Sequence, residues 1–314
     1  MAVLRVADTL KRLMHSAISP GSRKTYEQAW NHFLDFSTRY CGTALPKLPL
    51  SVSDIVLFVG DLSAKRLAPF TISTYISASS YFHKIGSFSD PTKAFVVHKI
   101  MTAQSRLCSK PDIRLPITRS ILHKLVQALN HTITPAHQIL LFQTMFLLAF
   151  SGFFRVGELT IKTLEWQHSV LQFQSLSFLK SHNEVQAAKL VITDYKHNTT
   201  ERPFSIIIHR ESTVHCCPVE FLPRWCRMRE SNSGPLFCLA DGWAVKTEVF
   251  TRQLKGALAF CDLDCSSDKS HSFRIGAASL AAENGMSDAQ ILGLGRWKSD
   301  AFKLYIRSPT AWAN

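Results

Sequence analysis

The chain has 314 residues, 46% hydrophobic and 19% charged, proportions that exclude a collagen-like, mucin-like or largely disordered protein. At about 150 residues per domain, this length predicts two domains. Thirty-six Lys and Arg against 23 Asp and Glu leave a net charge of +13, which favours a polyanionic partner such as nucleic acid or an anionic membrane.

Ser22-Arg23-Lys24-Thr25 opens a stretch with Tyr26, Trp30, Phe33 and Leu34 at helical spacing, ending near Cys41-Gly42. A proline loop, Pro46 to Pro49, precedes a second helix capped by Ser51 or Ser53 and carrying Ile55, Val56, Phe58, Val59 and Leu62. Pro69-Phe70-Thr71 begins a third, with Ile72, Tyr75, Ile76, Ser79 and Phe82 on one face. Asp90-Pro91-Thr92 begins a fourth that runs to about Leu107. Ser109 to Pro116 is polar, holds two prolines and lacks periodicity. It divides a helical unit over 1–110 from a second unit over 117–314, with a linker over 111–116. The positive charge is shared: residues 1–112 carry 14 basic and 7 acidic side chains, the remainder 22 and 16.

Two helices follow, Ser120 to His131 and Ala136 to Ser151. After Gly157 the pattern becomes short, β-branched or alternating, over Leu176–Phe178, Ala188–Ile192 and Pro203–Ile208. This predicts a three-stranded antiparallel sheet with a turn at Asn198-Thr199-Thr200. Helices return at Pro218 to Glu230, Thr247 to Cys261, Ser272 to Asn284, Asp288 to Leu294, and Ser299 to about Ile306. The whole reads as mainly α with a small antiparallel β-sheet.

The longest strongly apolar run, Ile139 to Phe150, contains Gln143 and Thr144 and falls short of the roughly 20 residues a membrane span needs. No membrane partner is expected. Arg5, Asp8, Lys11 and Arg12 leave no apolar signal-peptide core at the N-terminus. Eight cysteines without a secretion signal read as reduced thiols of an intracellular protein. His215-Cys216-Cys217 with Cys226 lacks a CxxC pair, so no metal site is expected.

Four blocks carry chemistry. In Ser151 to Leu159, Arg155 follows a buried apolar helix, and Glu158 stands three residues on, able to orient it. In Ile192 to Thr200, Lys196 sits at a hairpin tip that can reach into a groove. In Ser270 to Arg274, His271 and Arg274 are three apart at a helix start and face the same way. Two positive groups at the positive end of a helix are unfavourable without an anion, so this pair fits a phosphate. The last block, Leu294 to Arg307, carries Gly295-Arg296-Trp297 and places Tyr305 nine residues after Arg296, on a short helix.

In the order Arg, Lys, His-x-x-Arg, Gly-Arg-Trp, Tyr, these blocks together resemble the tyrosine recombinase (phage integrase-like) family. They are most like the recombinases of eukaryotic DIRS-like and Crypton-like mobile elements and the animal proteins derived from them. The resemblance implies a helical, SAM-like core-binding domain that clamps DNA, followed by an integrase catalytic domain. It implies that Tyr305 attacks a DNA phosphodiester to form a 3′-phosphotyrosyl bond, without metal, ATP or other cofactor. Arg155 and Arg274 would clamp the non-bridging oxygens, Lys196 would protonate the leaving 5′-oxygen, and His271 would accept or donate a proton. Glu158 would orient the arginine and histidine. The family places His or Trp nine residues before its tyrosine. Here Arg296 holds that place and Trp297 the next: either Trp297 donates its indole N–H, or Arg296 adds a third cation.

Arg23, Lys24, Lys65, Arg66 and Lys298 are the basic residues expected on DNA. The implied partner is double-stranded DNA, bound by a homo-tetramer, in the nucleus. The alternatives are a domesticated DNA-binding protein of the same fold that no longer cuts, and a type IB topoisomerase-like activity. Only nine residues follow Tyr305, which puts the family's usual exchange of a C-terminal helix in question.

Overall fold

The computed structural model describes residues 8–9, 12–13, 16–42, 48–108, 114–195, 202–211, 216–229, 231–265 and 271–307. Its contacts fall into two units, Met1–Asp112 and Ile113–Asn314.

In the first unit, α1 (Pro20–Cys41) starts on Ser19, whose hydroxyl accepts the Ser22 N–H at 3.2 Å. It stops at Gly42, where φ is 65°, a conformation that suits glycine. The cap of α2 (Val52–Ala64) is Ser51: its hydroxyl accepts the Asp54 N–H and the Asp54 carboxylate accepts the Ser51 N–H at 2.8 Å. Pro69 opens α3 (Pro69–Ile85). Asp90 does not start an α-helix. Its carboxylate accepts both the N–H and the hydroxyl of Thr92, holding a single 3₁₀ turn over Pro91–Lys93. Ala94 is extended (ψ 140°), so α4 (Phe95–Cys108) begins after it.

Phe33, Phe36 and Phe58 form the centre of this unit's core, packed with Ile55, Leu62 and Ile72. His83 is wholly buried. Its Nε2 accepts the Leu50 N–H at 2.8 Å, so Nδ1 carries the proton and donates to the Ser79 carbonyl at 2.7 Å.

The second unit is built around a helix apolar on every face, α6 (Ala136–Ser151), buried throughout from Leu140 to Phe150. It packs on α5 (Arg119–Thr132), α8 (Pro218–Met228) and α10 (Ser272–Glu283). Gly276 lets α10 approach the chain before α5: the Ile117 N–H bonds the Ser272 carbonyl at 3.0 Å, and a Cβ at 276 would strike the Ile117 carbonyl.

β1 (Leu176–Ser181), β2 (Glu184–Ile192) and β3 (Phe204–His209) form an antiparallel sheet in the order β1-β2-β3, with Leu190 opposite both Leu176 and Ile206. Ala188, Leu190 and Ile192 point into the core. Between them lie α7 (Val156–Leu159) before the sheet and, beyond it, α9 (Thr247–Phe260) and α11 (Asp288–Gly295). The last element, Asp300–Tyr305, is a 3₁₀ helix and not a turn of α-helix. Its three-residue period stacks Phe302 and Tyr305 on one side, which buries Phe302 while keeping Tyr305 half-buried against Trp297. Among the described residues no helix is long and apolar enough to cross a membrane, and no group of His, Cys, Asp and Glu is placed to hold a metal ion.

Candidate functional site

The site starts where α6 stops. Gly152 ends the helix against the Phe154 ring, which leaves no room for a Cβ. Phe153 takes φ 51°, and the turn delivers Arg155 as the extended residue that caps the single turn α7. Glu158, buried on that turn, reaches back: its carboxylate accepts the Arg155 N–H at 2.9 Å and Nη1 at 3.0 Å.

The same carboxylate accepts Arg296 Nη2 at 2.6 Å. Arg296 ends α11 in the left-handed region, φ 53° and ψ 41°. Its side chain runs inward, 1% exposed, and also donates to the Phe153 carbonyl at 3.2 Å. The chain then presents the next residue, Trp297, to the cleft wall. A Cβ on Gly295 would fall inside the Trp297 ring, so this turn needs glycine there.

Arg274, on the first turn of α10, is 1% exposed. It donates to the Phe153 carbonyl at 2.6 Å and to the Gly295 carbonyl, and its guanidinium lies 4.1 Å from the centre of the Trp297 ring. His271 precedes α10, its ring 6.1 Å from that of Tyr305, and Tyr305 is 5.3 Å from Trp297. The Ser279 hydroxyl fixes the backbone after the tyrosine, donating to the Tyr305 carbonyl at 3.3 Å and accepting the Arg307 N–H at 2.8 Å.

Arg155, His271, Trp297 and Tyr305, more than one hundred residues apart in sequence at the extremes, line one cleft of about 680 Å³. Glu158, Arg274 and Arg296 stand outside its wall. Three guanidiniums are thus set against Glu158, and Asp194 stands near enough that, after burial, the Glu158 charge pushes its carboxyl pKa up. Burial, then the charges of Arg155 and Arg296, push the Arg274 pKa down to about 9, against Glu158 and Tyr305. Burial also lowers Arg296, with Glu158 pulling the other way. A part-buried excess of positive charge beside a phenol suits an anion whose charge is held while the phenol reacts.

The expected DNA-binding residues do not line this cleft. Lys24, Lys65 and Arg66 are exposed and Arg23 half-buried, all in the first unit, and Lys65 is held by Asp61 at 2.6 Å. Lys298 is exposed beside Trp297. Lys196 lies outside the described residues, as does the turn at Asn198-Thr199-Thr200. Two cleft residues, Lys162 and Trp166, were not singled out from sequence. Trp166 is 46% exposed, and a lysine followed by a large unburied aromatic soon after Arg155 was the available signal.

No family model matches the sequence, and no curated protein sequence matches it. Solved structures do match. XerH site-specific recombinase bound to palindromic difH substrate aligns with 93% of this chain and 80% of its own, at 13% identity and a TM-score of 0.65. A lambda integrase dimer bound to a COC' core site aligns with 96% of this chain and 75% of its own, at 15% identity and a TM-score of 0.60. Tn1549 transposon integrase in complex with circular intermediate DNA aligns with 97% of this chain and 96% of its own, at 12% identity and a TM-score of 0.60. The likeness spans nearly the whole chain and establishes its fold as that of the tyrosine recombinases.

Proposed function

We propose that the chain is a site-specific DNA recombinase or integrase that breaks and rejoins duplex DNA through Tyr305. The observation that carries this reading is the cleft itself: a half-buried phenol shares it with Arg155, His271 and Trp297, in a neighbourhood with more cations than carboxylates. The matched recombinase and integrase structures, which are complexes with DNA, support it.

In the proposed reaction, the Tyr305 phenolic oxygen attacks the scissile phosphorus and loses its proton to His271, whose ring lies 6.1 Å from its own. A 3′-phosphotyrosyl ester forms as the bond to the 5′-oxygen breaks, and that oxygen takes up a proton from Lys196. Arg155 holds a non-bridging oxygen of the phosphate. The new ester conserves the bond, so attack by a 5′-hydroxyl reverses the chemistry without ATP. The Gly295-Arg296-Trp297 sequence supports placing the chain nearest the eukaryotic DIRS-like and Crypton-like recombinases, and hence in the nucleus. Recombination between two duplexes then calls for a homo-tetramer on DNA.

A specific observation favours a second reading, a DNA-binding protein that does not cut. Arg274 is 1% exposed, donates to the carbonyls of Phe153 and Gly295 and lies under Trp297, so a phosphate reaches its remaining donors only if that cover shifts. Covalent trapping separates the two. Incubated with nicked, randomised duplexes, the wild type should give a DNA-linked band on a denaturing gel, and Tyr305→Phe should give none. Salt-sensitive binding without a band would establish the second reading. Relaxation of a plasmid that carries no trapped site would instead identify a type IB topoisomerase-like activity.

A further inference from the structure

A second pocket in the catalytic unit shares no residue with the Tyr305 cleft. It measures about 420 Å³ and lies between the end of α8, the start of α6 and the loop Cys238–Gly242. Its wall includes Arg229, a cation only 9% exposed. Among the described residues no carboxylate stands within ion-pair distance of it. Arg229 spends Nη2 on the Ser233 carbonyl at 2.8 Å and on Cys238 Sγ at 3.8 Å, and rests its plane 4.5 Å from the Phe173 ring centre. Among the described residues, its Nε and Nη1 are buried with no acceptor. Unpartnered buried charge is unfavourable, and native proteins leave few such groups.

The same wall holds a second unpartnered donor or acceptor, His137 Nε2. His137 is the second residue of α6, and Pro135 caps that sixteen-residue helix without any side-chain acceptor for its first amides. The partial positive charge of the helix start therefore adds to that of Arg229. Trp225, Met228 and Leu239 give the wall most of its large apolar surface, beside the hydroxyl residue Ser231. Asp241 also borders the pocket but is exposed, and one of its oxygens accepts the Trp243 N–H at 3.0 Å.

We infer that this pocket binds a small organic carboxylate, its anionic head on Arg229 and His137 and its apolar body against Trp225, Met228 and Leu239. One fixed cation matches one negative charge, and an apolar wall disfavours a compact, multiply charged ion such as phosphate. The site is independent of the chemistry at Tyr305.

Benzoate is a suitable probe, with benzyl alcohol as its uncharged counterpart and inorganic phosphate as a compact anion. Titrated into the full chain, benzoate should raise Tm and perturb tryptophan emission saturably. Benzyl alcohol should bind at least about tenfold more weakly. Arg229→Met, which fills similar space without charge, should lose about tenfold or more in benzoate affinity, and His137→Leu a smaller factor. Should Arg229→Met fail to fold, Arg229→Lys keeps the charge but not the guanidinium plane, and must also weaken benzoate. The inference is overturned by absent saturable benzoate binding, by equal binding of benzyl alcohol, or by benzoate affinity unchanged in the Arg229 variants. Phosphate binding that depends on Arg229, with none for benzoate, equally overturns it.

Discussion

Glu158 divides one carboxylate between Arg155 and Arg296, and the two arginines should respond differently to loss. Arg296 is the buried partner, so Arg296→Met leaves Glu158 underpaired in the interior, at a cost of about 3 kcal/mol. Arg155 is 18% exposed, and Arg155→Ala leaves Glu158 with Arg296, a loss nearer 1 kcal/mol. Urea unfolding should give that order, whereas covalent trapping should fail completely in Arg155→Ala. Arg274 adds a pH signature. Its folded-state pKa, about 9, lies well below the ordinary arginine value, so between the two the unfolded chain binds more protons and the stability contribution rises with pH. Anion binding has the opposite sense, since it needs the charged form. The rise in Tm that sulfate produces should therefore shrink as pH passes 9, and Arg274→Gln should remove that step. The sequence identified these arginines but not their acceptors. Arg274 at a helix start reads as a phosphate ligand; that Phe153 and Gly295 offer it carbonyls follows only from two distant corners meeting.

Elements were more legible than contacts because their signals are local. Ser51 with Asp54, Gly42 after α1, and Ser287 with Gln290 before α11 mark helix ends by bonds within three or four residues. The strands, too, showed in β-branched runs at Ala188–Ile192 and Phe204–Ile208. The 3₁₀ turns at Pro91–Lys93 and Asp300–Tyr305 were read as α-helix, since six residues hold too few periods to distinguish three per turn from 3.6. Nor does sequence reveal the contact at Gly276, where α10 meets the Ile117 carbonyl. Gly276→Ala gains helix propensity of about 1 kcal/mol but forces backbone apart, and the net should be a destabilisation of about 1–3 kcal/mol. Thermal unfolding compared with Gly256→Ala, where a Cβ meets nothing within 4 Å, checks it.

For the molecule as a whole, +13 spread over both units predicts binding dominated by phosphate contacts. The logarithm of DNA affinity should fall linearly with the logarithm of salt concentration. Lys24→Gln, on the exposed face of α1, should lower the slope by about 1 if that residue meets a phosphate, with little change in sequence preference. Fluorescence anisotropy across a salt series measures both. Charge and its division between two units were open to reading from composition. The cleft was not, because Arg155, His271, Trp297 and Tyr305 come to it from the start of α7, the start of α10, the turn after α11 and the 3₁₀ helix Asp300–Tyr305.

The carboxylate of Glu158 is also a resident rival for any phosphate that approaches Arg155. A diester entering the cleft would meet a guanidinium whose Nη1 already donates to Glu158 at 3.0 Å, and would compete with that carboxylate for the charge. Under the proposed reaction, DNA held too loosely to compete with Glu158 would leave Arg155 in its resting pair, and the carboxylate would then favour well-seated substrate over passing contact.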